Sequence, residues 1–147
     1  MASISNEVVF EYVQSDGSND NHLNICLSSV KILSNLDSSI PGAYHIDGTY
    51  KLIKNRFPLI VFVKTGINQK LHVLAFCITS KEQEEDFIFF YRSLQKMADL
   101  LEKDFDPNYI VQDACNASRN AAIKFFPDTN ILMCYFHVLL NCKKKIK

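Results

Sequence analysis

Two apolar runs dominate the middle of the chain. Pro58-Leu59-Ile60-Val61-Phe62-Val63 and Leu71-His72-Val73-Leu74-Ala75-Phe76-Cys77-Ile78 are nearly continuous in hydrophobic residues, the pattern of strands covered on both faces. A third strand precedes them at Ala43–Lys51, where Tyr44, Ile46, Thr49 and Tyr50 are strand formers and Pro41-Gly42 punctuates the start. The intervening turns, Asn55-Arg56 and Thr65–Gln69, are short enough for antiparallel neighbours. Beyond them the period changes. Phe87, Phe90, Tyr91, Leu94, Ala98 and Leu101 recur at helical spacing behind a Ser80-x-x-Gln83 capping-box pattern. Glu82, Glu84, Glu85 and Asp86 crowd the first turn of that helix, where its dipole favours anions. Pro107 is expected to end it. Tyr109–Gln112 then reads as a short buried strand ending at Asp113, and Ala114–Phe126 as a helix stopped by Pro127. Ile131–Phe136 reads as a fifth strand, with a last helix from His137 onward.

The resulting order, βββαβαβα, defines an α/β domain. Three antiparallel strands are followed by two that, each reached through a helix, run parallel to the first, with helices on both faces of the mixed sheet. Residues 1–42 form a lead-in: a strand at Val8–Val13, a polar tip with Asp16-Gly17, and a hairpin partner at His22–Leu27. A short helix through Val30, Ile32, Leu33 and Leu36, capped by Ser28 or Ser29, and a loop at Asp37–Gly42 complete it. No internal repeat or low-complexity linker interrupts the chain.

Length and composition narrow the class without naming a function. A chain of 147 residues with 48% hydrophobic content and eleven Phe has the size of one domain with a real core. Sixteen basic and sixteen acidic residues cancel, so there is no global electrostatic case for nucleic acid, membrane or acidic partners. Lys143-Lys144-Lys145-Ile146-Lys147 is locally basic and reads as a solvated helix end. Cys26, Cys77, Cys115, Cys134 and Cys142 make an odd, irregularly spaced set, several inside apolar runs, which points to a reducing intracellular compartment. Met1–Glu7 has neither a basic nor an apolar signal-peptide region, and no apolar run approaches a membrane span.

Candidate chemistry centres on Asp47. Strands are depleted in Asp, and a buried carboxylate must be paired, hydrogen-bonded or bound to a cation. Gly48 beside it lets another group approach the backbone closely. The plainer reading is an Asp-Gly turn. Asp113, at the carboxyl end of the fourth strand, is the natural companion, because ligands of open α/β sheets collect at the carboxyl ends of strands. Its plainer reading is a strand-end turn or helix cap, for which Asn116 serves equally well. A carboxylate pair without a competing base suits Mg²⁺ or Mn²⁺, and ions so held activate nucleophiles in phosphodiester cleavage.

Three segments carry a resemblance: His45-Ile46-Asp47-Gly48-Thr49-Tyr50-Lys51, Ile110-Val111-Gln112-Asp113-Ala114 with Ala121, and Phe126-Pro127 with Cys134-Tyr135-Phe136-His137. Together, in this order and spacing from about Ala43 to the chain end, they resemble the Mutator-like (MULE) transposases, DDE enzymes with a ribonuclease H-like fold. The resemblance implies a core over residues 43–147, with Asp47 and Asp113 as the first two catalytic, metal-binding acids. It implies DNA at transposon ends as partner and a nuclear location; homo-oligomerisation stays open. Cys134-x-x-His137 also matches the family. A structural zinc site takes four ligands, and Cys142 and His72 are the candidates to complete one, although nothing in the sequence brings them together. The family's third acid, a Glu on a helix downstream of the Cys-x-x-His pair, has no counterpart here. Glu102, Asp104 and Asp128 lie in the wrong places, so the core is expected to be an incomplete fragment, inactive alone. Two alternatives stand beside this reading: a domesticated, non-catalytic DNA- or protein-binding module, and a ribonuclease H-like nuclease.

Overall fold

The computed structural model describes residues 9–13, 15–49 and 56–146. Val8, Tyr50, Lys51, Asn55 and Lys147, which the sequence places in strands, a turn and the basic end, lie outside these residues. The elements are β1 (Val9–Val13), β2 (Asn24–Leu27), α1 (Val30–Leu33), β3 (Gly42–Thr49), β4 (Leu59–Gly66), β5 (Leu71–Thr79), α2 (Glu84–Leu100), β6 (Tyr109–Gln112), α3 (Asn116–Phe125), β7 (Asn130–Met133) and α4 (Tyr135–Lys145). Among the described residues the strands form one sheet in the order β1-β2-β5-β4-β3-β6-β7. β3, β4 and β5 pair antiparallel, and β6 and β7 continue parallel to β3. The lead-in hairpin β1–β2 belongs to the same sheet, with β2 antiparallel to β5. Ser29 caps α1, its side chain accepting from the Ile32 N–H.

One face of the sheet carries the core. Along β3 and β4 the buried residues alternate, Tyr44 and Ile46 against Ile60 and Phe62, the period-2 signature of a covered face. Phe62 stacks on Tyr44 at 5.5 Å and meets Phe90 and Tyr91 of α2 edge-on at 6.1 Å, while Phe105 closes over both strands. Full burial of each such side chain stabilises the fold by roughly 1.5–3 kcal/mol. Phe125 and Phe126, at the end of α3, pack against Tyr91. The predicted stripe of α2 is therefore this core contact, with Phe87, Phe90, Tyr91, Leu94 and Ala98 buried. Among the described residues no helix is long and apolar enough to cross a membrane.

The other face is less covered than the apolar runs suggest. Val61 and Val63 are half-buried and Leu71 and Val73 exposed. Val61, Val63 and Leu71 of this face line a cavity with Cys134 and His137 at the start of α4, so among the described residues only one face is sealed.

Three boundaries differ from expectation, each for a local reason. The capping box of α2 is formed by Gln83 and Asp86, not by Ser80 and Gln83. The Ser80 hydroxyl instead accepts from the Leu23 N–H. α2 ends at Leu100, well before Pro107. Glu102 takes a left-handed φ of 54° and the Lys103 N–H returns to the Ala98 carbonyl at 2.8 Å, a closure that needs no proline. Finally, β7 stops at Met133. Tyr135 and Phe136, strand formers by propensity, are the first residues of α4, and Cys134 is its cap.

Candidate active site

Parallel register sets the site. β3 and β6 pair Tyr44 with Ile110 and His45 with Val111. Carried two residues further, that offset brings Asp47 level with Asp113 at the carboxyl ends of both strands. β6 and β7 pair Gln112 with Met133, so the next step brings Asp113 level with Cys134. Three neighbouring strand ends thus present Asp47, Asp113 and the entry to α4 in a row, the place where open α/β sheets gather ligands.

Asp47 and Asp113 line one small cavity of about 40 Å³, together with Ile46, Gly48, Glu82, Phe87, Cys115 and Ser118. Asp113 Oδ1 also accepts from the Cys115 N–H at 3.0 Å, the strand-end turn its residue type favours. Asn116 is the first residue of α3 rather than its cap. The Ser118 hydroxyl donates to Gln112 Oε1 at 2.8 Å and pins α3 to the end of β6. Asp47 is partly exposed. Burial raises its pKa, Asp113 raises it further, and His137 and the Gly48 N–H oppose them.

The acid that sequence reasoning missed is Glu82. By pattern it falls in the acidic first turn of a helix opened at Ser80. In the structure it precedes the cap Gln83 and turns into the cavity. Its carboxylate lies over Gly48, where a Cβ would overlap it, so the close approach that glycine permits is that of Glu82. Burial first, then the charges of Asp113, Asp47 and Asp86, push the Glu82 pKa up to about 7. The available signal was its place before a Gln83-x-x-Asp86 box. Gly48→Ala is expected to turn the flexible Glu82 side chain outward at little cost in stability. A ¹³C carboxyl titration should then show the Glu82 midpoint falling towards an ordinary glutamate value; an unmoved midpoint would contradict the packing.

The donor set, three carboxylates around one cavity with the pKa of Glu82 raised by burial and by its neighbours' charges, is the chemistry that suits a hard divalent cation. Among the described residues no three His, Cys, Asp or Glu side chains already stand as a ligand set, so binding requires side-chain movement. The Cys134/His137 pair lines a second, larger cavity of about 330 Å³ on the open face, bounded by His45, Val61, Val63, Leu71 and Val111 and touching Asp47. His45 Nε2 lies 2.8 Å from the Thr65 hydroxyl, and burial lowers its pKa. His72 lines a separate cavity with Ile40 and Asn68, and Cys142 is exposed on α4. The structure does not bring these two to Cys134 and His137.

Among curated proteins none matches this chain. A family model for the MULE transposase domain does match, over residues 43–141, from the strand that carries Asp47 to the helix that carries His137. With most of its length so matched, the chain belongs to the MULE transposase domain family.

Proposed function

We propose that this chain contributes the two metal-binding aspartates of the ribonuclease H-like core of a Mutator-like DDE transposase, an enzyme that in its complete form cuts and joins DNA at transposon ends. Asp47 and Asp113 would hold Mg²⁺ or Mn²⁺, and Glu82 supplies the third carboxylate on this side of the site. Family membership implies a transposase-related function with DNA as the general partner. The observation that carries the finer reading is the shared register, which levels Asp47 with Asp113 while Glu82 lines the same cavity. The antiparallel β3–β4–β5 followed by parallel β6 and β7 supports the fold assignment.

A bound cation of this kind activates the attacking oxygen and stabilises the leaving one. The chain's own part is to concentrate negative charge at one point of the sheet edge, which costs folding energy until a cation neutralises it. Isothermal titration with Mn²⁺ tests this. Asp47→Asn and Asp113→Asn are each expected to weaken binding by roughly tenfold or more, since even groups behind the ligands matter on that scale. Wild-type affinity in both variants would end the metal reading.

A second reading, a non-catalytic DNA-binding module, draws on the lack of a ready-made ligand set among the described residues. It predicts DNA affinity that falls steeply with salt and is indifferent to Mn²⁺ and to both Asp→Asn changes.

A further inference from the structure

The Cys134-x-x-His137 motif has no zinc partners in His72 or Cys142, yet its spacing places His137 at a definite point. Cys134 is fixed to the sheet by its N–H, which donates to the Gln112 carbonyl at 2.6 Å. It then caps α4, with the Val138 N–H donating to its carbonyl at 3.1 Å. A residue three positions past a cap has completed about one helical turn. His137 therefore returns over the strand ends it has just left. Its Nε2 lies 3.8 Å from Asp47 Oδ1, and its ring packs edge-on against Phe136 at 5.9 Å. The other nitrogen, Nδ1, is enclosed with no hydrogen-bond partner among the described residues.

We propose that His137 is a positioning residue for Asp47: its Nε2–H takes Oδ1, leaving the second carboxylate oxygen turned towards Asp113 and Glu82 for a cation. This inference rests on the metal reading above. Asp47 borders two cavities, one acidic and one apolar, and a carboxylate on a partly open strand end needs something to fix its rotamer. Among the described residues His137 is the basic side chain within ion-pair reach of it. The 3.8 Å separation is longer than a hydrogen bond, so an approach of about 1 Å closes the pair. Histidine and carboxylate groups coupled behind a metal ligand commonly set its orientation and affinity. The motif then needs no metal of its own: Cys134 fixes where the helix starts, and one turn delivers the imidazole.

The test is Mn²⁺ titration of the full chain, with thermal unfolding in parallel. His137→Leu, similar in bulk, is expected to weaken Mn²⁺ binding about tenfold while the metal-free melting temperature holds. His137→Gln, which keeps an N–H at similar reach, should recover most of the affinity. A structural role would instead lower the melting temperature and leave affinity alone. Wild-type affinity in His137→Leu, when Asp47→Asn has lost it, overturns the positioning role and spares the metal reading. Wild-type affinity in Asp47→Asn overturns the positioning role, and wild-type affinity in Asp113→Asn as well overturns the metal reading. Should His137→Leu fail to fold, a Mg²⁺ titration of the wild-type protein decides. The His137 Nε2 ¹⁵N resonance is expected to move with metal saturation, and an unmoved resonance overturns the proposal.

Discussion

Asp86→Ala is expected to destabilise the protein by about 3–5 kcal/mol, the range for removing one partner of a buried charged pair, and to lower the melting temperature by roughly 10 °C. Asp86 is fully buried, and three donors converge on it. His22 Nδ1 lies 2.8 Å and Asn24 Nδ2 3.0 Å from its Oδ1, and the Gln83 N–H donates to its Oδ2 at 2.9 Å. One side chain thus caps α2 and anchors the β1–β2 hairpin to it. Alanine leaves those donors buried and unmet, which costs more than the bonds themselves contribute. His22 adds a pH signature. Its Nε2 faces the Asn19 carbonyl at 2.9 Å, so both ring nitrogens meet acceptors and the doubly protonated form fits. Burial alone would lower its pKa, but the Asp86 hydrogen bond and charge, with help from Glu85, raise it overall. A raised histidine pKa means stability that is fully present below about pH 6.5 and lost as pH rises through the folded-state value. Thermal melts from pH 6 to 8 should show a steeper loss in the wild type than in Asp86→Ala, which keeps only the share of the acids at the strand ends. A variant melting within a few degrees of wild type would refute the anchoring role.

What the chain discloses before folding follows from which forces are local. The alternation in Tyr44 and Ile46, the apolar run around Phe62 and the helical stripe from Phe87 to Ala98 all record burial against the same core. They could be read because a covered face constrains every second, or every third and fourth, residue. The register that levels Asp47 with Asp113 was legible only as a topology, since parallel pairing depends on the crossovers between strands. Glu82 was hidden by a one-element error. With the cap assigned to Ser80, an acid at 82 is explained by the helix dipole and asks for nothing more; with the cap at Gln83 it lies outside the helix. Tyr135 and Phe136 misled in the opposite direction, because intrinsic strand preference yields to context. β7 is four residues long, and the chain turns into α4 as soon as Cys134 has bonded back to β6. The open second face was not legible either. Val61, Val63 and Val73 carry the hydrophobicity of covered strands, and nothing in their spacing states how much of that cover the described residues provide.

Glu82→Gln is expected to make the metal-free protein more stable and the metal-bound protein less so. At neutral pH the folded state half-buries Glu82 and brings it against Asp113 and Asp47, and its pKa, raised to about 7 from 4.5, reflects the cost of ionising it there. The sign follows directly. Between about pH 4.5 and 7 the folded protein keeps a proton that the unfolded chain has released, so stability falls as pH rises across that window and stays lowered above it. Asp47, whose pKa is also raised, contributes in the same direction. A neutral amide removes the Glu82 share. Each pKa unit corresponds to about 1.4 kcal/mol, and solvent screening at a half-buried group reduces the full shift to a gain of roughly 1–2 kcal/mol at pH 7.5. The stability–pH curve of Glu82→Gln should accordingly be flatter from pH 5 to 7 than that of the wild type, while the His22 slope above pH 6.5 persists. With Mn²⁺ present the order should reverse, because a cation binding only the folded state stabilises it in proportion to its affinity, and the amide weakens that affinity. Such a reversal distinguishes a carboxylate kept for binding from one that is merely tolerated. Parallel pH curves for the two proteins would show that the charges at this strand end do not oppose folding. A variant stabilised equally with and without Mn²⁺ would show that Glu82 has no part in holding the ion.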